Sequence, residues 1–311
     1  MRSLVVLVAL AGAAHSKPAY LVSYGAYGSP DAIVARGRAH KGKPPSDALA
    51  RPKIDKVVGT VKAFAGRDLE RPLVALTDVA TGRTVEARGN GDGFYEVRLP
   101  GPFPPGPRRL TVALRDAKYA ADPVDETAVV VDQGFVLVSD IDDTIVDTGV
   151  TRGKAELVGR VLASDAGDVK PLPGAAETLG AFAGAGIPII YLSASPVELA
   201  PRLRQAFALR GFPAGPIFLR HYEDDGIGDP SAYKRRALAK LAADLPRARF
   251  LLLGDNGEKD PAIFAAVARD TGRVAHRFIR MTVAGAPGDG AFAFGSFAEL
   301  RAFAREQKLI P

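Results

Sequence analysis

Three aspartates in four positions, Asp140, Asp142 and Asp143, follow the apolar run Phe135-Val136-Leu137-Val138 in the stretch GFVLVSDIDDTIVDTG. Such a run reads as one strand buried on both faces. Carboxylates massed at its C-terminal end repel one another, which costs stability unless a cation or a substrate uses them. The chemistry that needs this crowd is magnesium-dependent phosphoryl transfer to a carboxylate, which splits one hard displacement into two easier ones. Magnesium prefers hard oxygens and holds an anionic phosphate beside an anionic nucleophile. Asp142 can reach the leaving group because the chain turns out of the strand there.

The elements after Val131 alternate between strand and helix, which predicts a parallel sheet with helices on both faces. Strands are expected at Phe135–Ser139, Ile187–Leu192, Ile217–Leu219, Phe250–Leu253 and Val274–Ile279. Helices are expected at Lys154–Ala163, Ala175–Ala183, Glu198–Leu209, Tyr233–Asp244, Ala262–Arg269 and Phe297–Gln307. Ligands of such sheets sit beyond the carboxyl ends of the strands. The strand IIYLSASP ends at Ser193, whose hydroxyl, with the amides of Ala194 and Ser195, reads either as an anion-binding helix start or as a plain cap. The strand in FLLLGDNGEKDP delivers Gly254-Asp255, and Asp260-Pro261 opens a helix; Lys234 starts the preceding helix. A lysine and a hydroxyl can take phosphate oxygens, while a second carboxylic acid protonates the leaving alkoxide and then activates water. Lys259 competes for the lysine role, but it lies inside the acidic loop, and Lys234 is preferred.

Upstream, residues 17 to about 56 are rich in Gly, Pro and Lys and read as irregular, with one strand at Ile33–His40. From Lys56 to Val131, short alternating strands separated by turn signals (Val57–Phe64, Leu73–Asp78, Thr84–Arg88, Phe94–Leu99, Arg109–Arg115) predict a small antiparallel sandwich. His40 reads as a surface or packing residue rather than a ligand. Met1-Arg2, the apolar run Leu4 to Ala14 and the small-x-small Ala14-His15-Ser16 together read as a secretory signal peptide, with the mature chain starting near Lys17. The protein is therefore expected to be exported, periplasmic or secreted. No other segment is apolar enough to cross a bilayer. The division expected is 1–16 signal peptide, 17–132 sandwich and 133–311 catalytic domain.

The 311 residues carry a net charge of +6, 47% hydrophobic residues and no cysteine. Without cysteine there are no disulfides, thiolate metal sites or cysteine nucleophiles. The mild, dispersed positive charge suits a polyanionic substrate, an anionic lipid surface or ordinary solvation, and nucleic acid is not an expected partner.

The four strand-end motifs resemble the haloacid dehalogenase (HAD) superfamily, and residues 134–311 match its motifs in order and spacing. The resemblance implies Asp140 as nucleophile and metal ligand, with Asp142 as general acid/base binding metal through its backbone carbonyl. It also implies Ser193 and Lys234 on the phosphate, Asp255 completing the magnesium site, and Asp260 and Thr144 in support. An aspartate in the Asp142 place marks the phosphatase branches. VSDIDDTI, YLSASP, YKRRAL and LLGDNGEKDPAIF are together similar to the actin-patch phosphatidate phosphatase family, which also has a β-rich region ahead of its catalytic domain. That resemblance implies phosphatidate or a related lipid phosphate as substrate, with peripheral membrane contact and no integral membrane segment in the mature form. Soluble phosphomonoesters, or a catalytically idle envelope-binding protein, are the alternatives.

The expected fold class is therefore α/β: a HAD-like parallel sheet with helices on both faces and a minimal cap, preceded by a small antiparallel β-sandwich domain. The short segment between the first two motifs leaves no room for a large cap, so an open site is expected, which suits bulky phosphoesters. Leu157, Val158, Val161 and Leu162, with Arg152, Lys154 and Arg160, form either an amphipathic lid or a helix packed on the core. Arg220, His221, Glu223, Asp224 and Asp225 either face the site or lie in a solvated loop. Asp143 and Asp147 are expected to support the catalytic loop rather than do chemistry.

Overall fold

The computed structural model of the protein describes residues 16–44, 67–147, 169–221 and 229–311. The leader-like start, the strand expected at Val57–Phe64, the helix expected at Lys154–Ala163 and the acids Glu223, Asp224 and Asp225 lie outside the described residues.

The described residues open with two long strands, β1 (Lys17–Ser29) and β2 (Ala32–Lys41), paired antiparallel. The expectation of an irregular segment here is corrected, and the reason is local. Gly25, one of the glycines that make this segment read as irregular, marks a register shift within β1, at φ 94°. A Cβ at Gly25 would meet the Pro216 Cα at 2.6 Å, so glycine lets this strand approach the neighbouring layer. The strands β3 (Leu73–Asp78), β4 (Thr84–Arg88), β5 (Phe94–Pro100), β6 (Gly106–Leu114), β7 (Tyr119–Ala120) and β8 (Val124–Val130) follow. They complete a mostly antiparallel sheet in the order β4-β3-β6-β8-β1-β2-β5, with β7 against β1. Its two halves meet at one parallel pair, Gly28 with Val130, and share a core that includes Ile33, Val74, Leu76, Val97 and Val112. Alternation is clean in β5, where Tyr95, Val97 and Leu99 are buried between exposed neighbours.

The second sheet holds β9 (Phe135–Ser139), β10 (Ile189–Pro196), β11 (Ile217–Arg220), β12 (Arg249–Asp255), β13 (Val274–Arg280) and β14 (Phe292–Phe294). All pairs are parallel, in the order β11-β10-β9-β12-β13-β14. The helices are α1 (Ala175–Gly184), α2 (Ala200–Leu209), α3 (Pro230–Asp244), α4 (Asp260–Thr271) and α5 (Phe297–Glu306), with a 3-10 turn at Val197–Leu199. Period-two alternation in β9 sends Leu137 to one face and Val136 and Val138 to the other. Leu137 joins Leu179 and Phe182 of α1, Phe207 of α2 and Leu300 of α5. Val136 and Val138 join Leu238 and Leu241 of α3 and Ile263 and Phe264 of α4. Burying both faces explains why these strands read as continuous apolar runs. The connection from β9 leads to β10 on one side, while β12 lies on the other, so the strand order reverses between β9 and β12. Such a reversal opens a crevice beyond the strand ends. The carboxyl ends of β9 and β12 carry Asp140 and Asp255.

The antiparallel sheet sits directly on this unit. Tyr27 and Val34 pack into the core under α3, and the Tyr27 hydroxyl donates to Asp244 at 2.7 Å. Arg204 of α2 donates to the Ser23 carbonyl at 2.8 Å and pairs with Glu126 at 2.9 Å.

Candidate active site

Asp140 leaves β9 with its amide hydrogen-bonded to the Leu253 carbonyl of β12 at 2.8 Å, which fixes the first carboxylate against the neighbouring strand. The chain then turns sharply. The Ile141 carbonyl accepts the amides of Thr144, Ile145 and Val146, and Asp143 takes a left-handed φ of 51°. That conformation is uncommon for a residue with a side chain. The Asp143 carbonyl accepts from Arg280 at 2.8 Å, so this aspartate shapes the loop, as expected. Asp147 is exposed at the loop's far end, its amide bonded to the Lys170 carbonyl at 2.8 Å.

Three carboxylates converge behind the turn. Asp140, Asp255 and Asp260 are buried, with one ligand atom of each lying within 4.8 Å of the others. Lys234, buried at the start of α3, reaches Asp140 Oδ1 at 2.8 Å, Asp260 Oδ1 at 2.6 Å and Glu258 at 3.2 Å. The Thr144 hydroxyl donates to Asp140 Oδ2 at 2.7 Å, with Asp255 Oδ2 3.3 Å from the same oxygen. Asp255 also accepts the Gly257 amide at 2.6 Å and faces the Thr282 hydroxyl at 3.3 Å. Lys234 thus holds the sequence-predicted lysine position. Lys259 is exposed, 3.4 Å from Asp229.

The electrostatics follow from burial and crowding. Burial raises Asp140 well above the usual carboxylate range; Lys234 opposes this, while Asp260, Glu258 and Asp142 add to it. Burial likewise raises Asp260, to about 6 even with Lys234 in contact. It raises Asp255 too, against the Gly257 amide. For Lys234 burial favours the neutral form, but Asp140, Asp260 and Glu258 outweigh it and hold the ammonium charged. One lysine therefore faces five acids, Asp140, Asp142, Asp255, Glu258 and Asp260. A hard divalent cation fits this donor set on charge and on chemistry. Asp260 Oδ2 is buried with no hydrogen-bond partner, which leaves an oxygen to be satisfied.

Asp142 stands apart from the triad. Its Oδ2 accepts the Ser193 hydroxyl at 2.6 Å and the Ser195 hydroxyl at 2.8 Å, and Ser195 donates its amide back to Ser193 Oγ at 2.9 Å. Burial raises the Asp142 pKa, and the two serine bonds pull against it. Ser193 accordingly holds Asp142 here, where the sequence suggested a phosphate contact or a cap. Of the metal ligands the sequence suggested, Asp140 and Asp255 lie in the triad. Asp260, expected only in support, joins them, while the Asp142 carboxylate turns to the serines. The Ser195 hydroxyl, Glu258 and Thr282 were missed; their only sequence signal is proximity to the motifs.

Gly254 shows how tightly the acids are held. A Cβ there would lie 2.4 Å from Asp260 Oδ2. Gly254→Ala is therefore expected to push Asp260 off Lys234, lowering kcat at least tenfold and destabilising the fold by about 1–3 kcal/mol. Paired rate and melting measurements check this.

Arg220 and His221, at the end of β11, are buried rather than solvated. His221 packs against Phe94 of the antiparallel sheet, with ring centroids 4.5 Å apart. His40, read as a surface or packing residue, is buried; it stacks on Tyr20 and meets Asp68 at 3.0 Å.

Comparison with known proteins places this arrangement. Residues 135–281 match the family model described as phosphatidate phosphatase APP1, catalytic domain. The chain is 30% identical over 201 residues to phosphatidate phosphatase APP1 of Saccharomyces cerevisiae, covering 61% of this chain and 34% of that protein. It is 29% identical over 220 residues to an uncharacterized protein of Schizosaccharomyces pombe, covering 67% of this chain and 35% of that one. The chain spans about a third of the length of these curated relatives. Among solved structures, a HAD family hydrolase from Deinococcus radiodurans R1 with bound phosphate and sodium covers 58% of this chain and 99% of its own. The identity is 21% and the TM-score 0.36, too low to add to the assignment. Residues 135–281, which carry Asp140, Asp142, Ser193, Lys234, Asp255 and Asp260, are thus similar to the catalytic domain of APP1-type phosphatidate phosphatases.

Proposed function

We propose that the chain is a magnesium-dependent phosphatase that works through a phosphorylated Asp140, with phosphatidate or a related lipid phosphate as substrate. The observation that carries this reading is Asp140 itself, buried at the sheet's reversal point between Lys234 Nζ and the Thr144 hydroxyl, with a separately held Asp142 two residues on. Asp140, Asp255 and Asp260 are the residues to hold magnesium, which would neutralise phosphate charge beside the nucleophile.

The chain's own residues divide the work. Lys234 and Thr144 orient the Asp140 carboxylate, and the positive charge of Lys234 favours its ionised form against the cost of burial. Attack by an Asp140 oxygen forms the new bond to phosphorus and breaks the ester bond. Burial raises the pKa of Asp142, which favours the protonated form that a general acid needs. With both serine hydroxyls on Oδ2, that proton belongs on Oδ1, from which it passes to the leaving oxygen. Asp142, now a carboxylate, takes a proton from water as the water oxygen attacks phosphorus, and Asp140 is released. An idle domain has no use for five acids around one lysine, which argues against the purely binding alternative.

The lipid substrate rests on the family model and the yeast relative, both described as phosphatidate phosphatase. No helix among the described residues is long and apolar enough to cross a membrane, so the proposed contact is peripheral. Export is part of the proposal, supported by the leader-like run before Lys17; amino-terminal sequencing of the secreted protein tests it. Phosphate release from a generic aryl phosphate is expected with magnesium and is expected to stop with EDTA. Phosphatidate in mixed micelles is expected to outperform a panel of soluble monoesters in kcat/KM. A clear preference for soluble esters would retire the lipid assignment and leave the phosphatase standing.

A further inference from the structure

Arg38 of β2 lies in the antiparallel sheet and is 3% exposed. A buried guanidinium is retained only where its fork is well satisfied. Here Nε donates to the Asp92 carbonyl at 2.9 Å, Nη2 to Asp68 at 2.7 Å and Nη1 to Glu198 at 3.3 Å, and the group lies 4.3 Å above the Phe94 ring. The first two partners and the ring belong to the antiparallel half of the chain. Glu198 does not. It sits in the 3-10 turn Val197–Leu199, three residues beyond Ser195, and its side chain is only 12% exposed.

That turn continues the segment whose Ser193 and Ser195 hydroxyls both end on Asp142. From Asp142 to Ser195, along the turn to Glu198 and across to Arg38, every link is a short polar contact or two to three residues of backbone. Val197 and Leu199 are buried on either side of Glu198, so the turn has little freedom except through its polar anchor.

We propose that Arg38 is a positioning residue for the reaction: through Glu198 it fixes the turn that presents Ser193 and Ser195 to Asp142. The antiparallel sheet thereby sets the orientation of the proton-carrying carboxylate. This rests on the phosphatase reading above, and it gives that sheet a role in turnover that nothing in its own strands would reveal.

The test is a double-mutant cycle on the full chain with magnesium and an aryl phosphate. Glu198→Gln, nearly isosteric, and Arg38→Ala are each expected to lower kcat about tenfold with KM within about twofold, because alignment rather than substrate binding is lost. Ser195→Ala alone is expected to lower kcat similarly. Combining it with Glu198→Gln is expected to add less than threefold, since both act through Asp142. Melting curves show that the variants are folded at the assay temperature. Multiplicative losses in the double variant, or a folded Glu198→Gln protein at wild-type kcat, overturn the proposal. A wild-type protein with no turnover overturns the phosphatase reading instead, so the two failures are separable.

Discussion

Asp140→Asn is expected to lower kcat for any phosphomonoester about ten-thousand-fold, or about 5.5 kcal/mol in barrier height. The substitution keeps the shape of the side chain and its bond from Thr144, yet it removes the carboxylate proposed to form the acyl phosphate. The fold is expected to survive. Burial holds Asp140 well above its ordinary pKa, so an ionised carboxylate is unfavourable there, and a neutral amide removes that penalty. A melting temperature equal to or above wild type, beside the lost rate, is the combined signature. Near-normal turnover would mean that another residue attacks.

The second large effect is on Lys234. Lys234→Met keeps the length of the side chain but strips the one cation from Asp140, Asp260 and Glu258. Breaking a buried pair from one side costs about 3–5 kcal/mol, and the proposed nucleophile, Asp140, loses its orienting partner at the same time. Without lysine the acids must bind protons to stay buried, so their folded pKa values rise further above the unfolded value of about 4. A group raised on folding destabilises as pH climbs past its unfolded pKa. In EDTA the deficit against wild type is therefore expected to be small near pH 4. It should widen through about 6, the wild-type value for Asp260, and beyond. Urea unfolding across that range measures it, and a deficit independent of pH would show that the lysine's role is packing alone.

Most of the site was legible because a parallel sheet gathers strand ends at one edge, so acids far apart in sequence become neighbours by topology. Asp140, Lys234 and Asp255 stand where their places at β9, α3 and β12 required. Their partnerships were less legible. Whether Ser193 faces a phosphate or Asp142 depends on side-chain direction after β10, which runs on to Pro196 rather than stopping at Leu192. Glu258, in the loop after β12, meets Lys234 of α3 at 3.2 Å, a contact between elements that no local spacing foretells. The resemblance implied only a supporting role for Asp260, yet its carboxylate joins the triad in space that a side chain at position 254 would fill.

The first described segment, residues 16–44, was the least legible. The glycine content of that segment supports an irregular reading, whereas Gly25 lets β1 approach Pro216 of the other layer, and Gly28 and Gly37 sit tight against neighbouring strands of their own sheet. Strand β14, three residues long, gives too short a pattern to read. The link from Arg38 to Glu198 crosses 160 positions and carries no sequence pattern at all.

Trapping the covalent intermediate tests the central claim most directly. Protein mixed with magnesium and an aryl phosphate labelled at phosphorus is quenched in acid during turnover, digested and mapped. Label is expected on the peptide carrying Asp140, decaying when unlabelled substrate is chased through and absent from Asp140→Asn. Turnover with no label on that peptide, or label on any other residue, would contradict it.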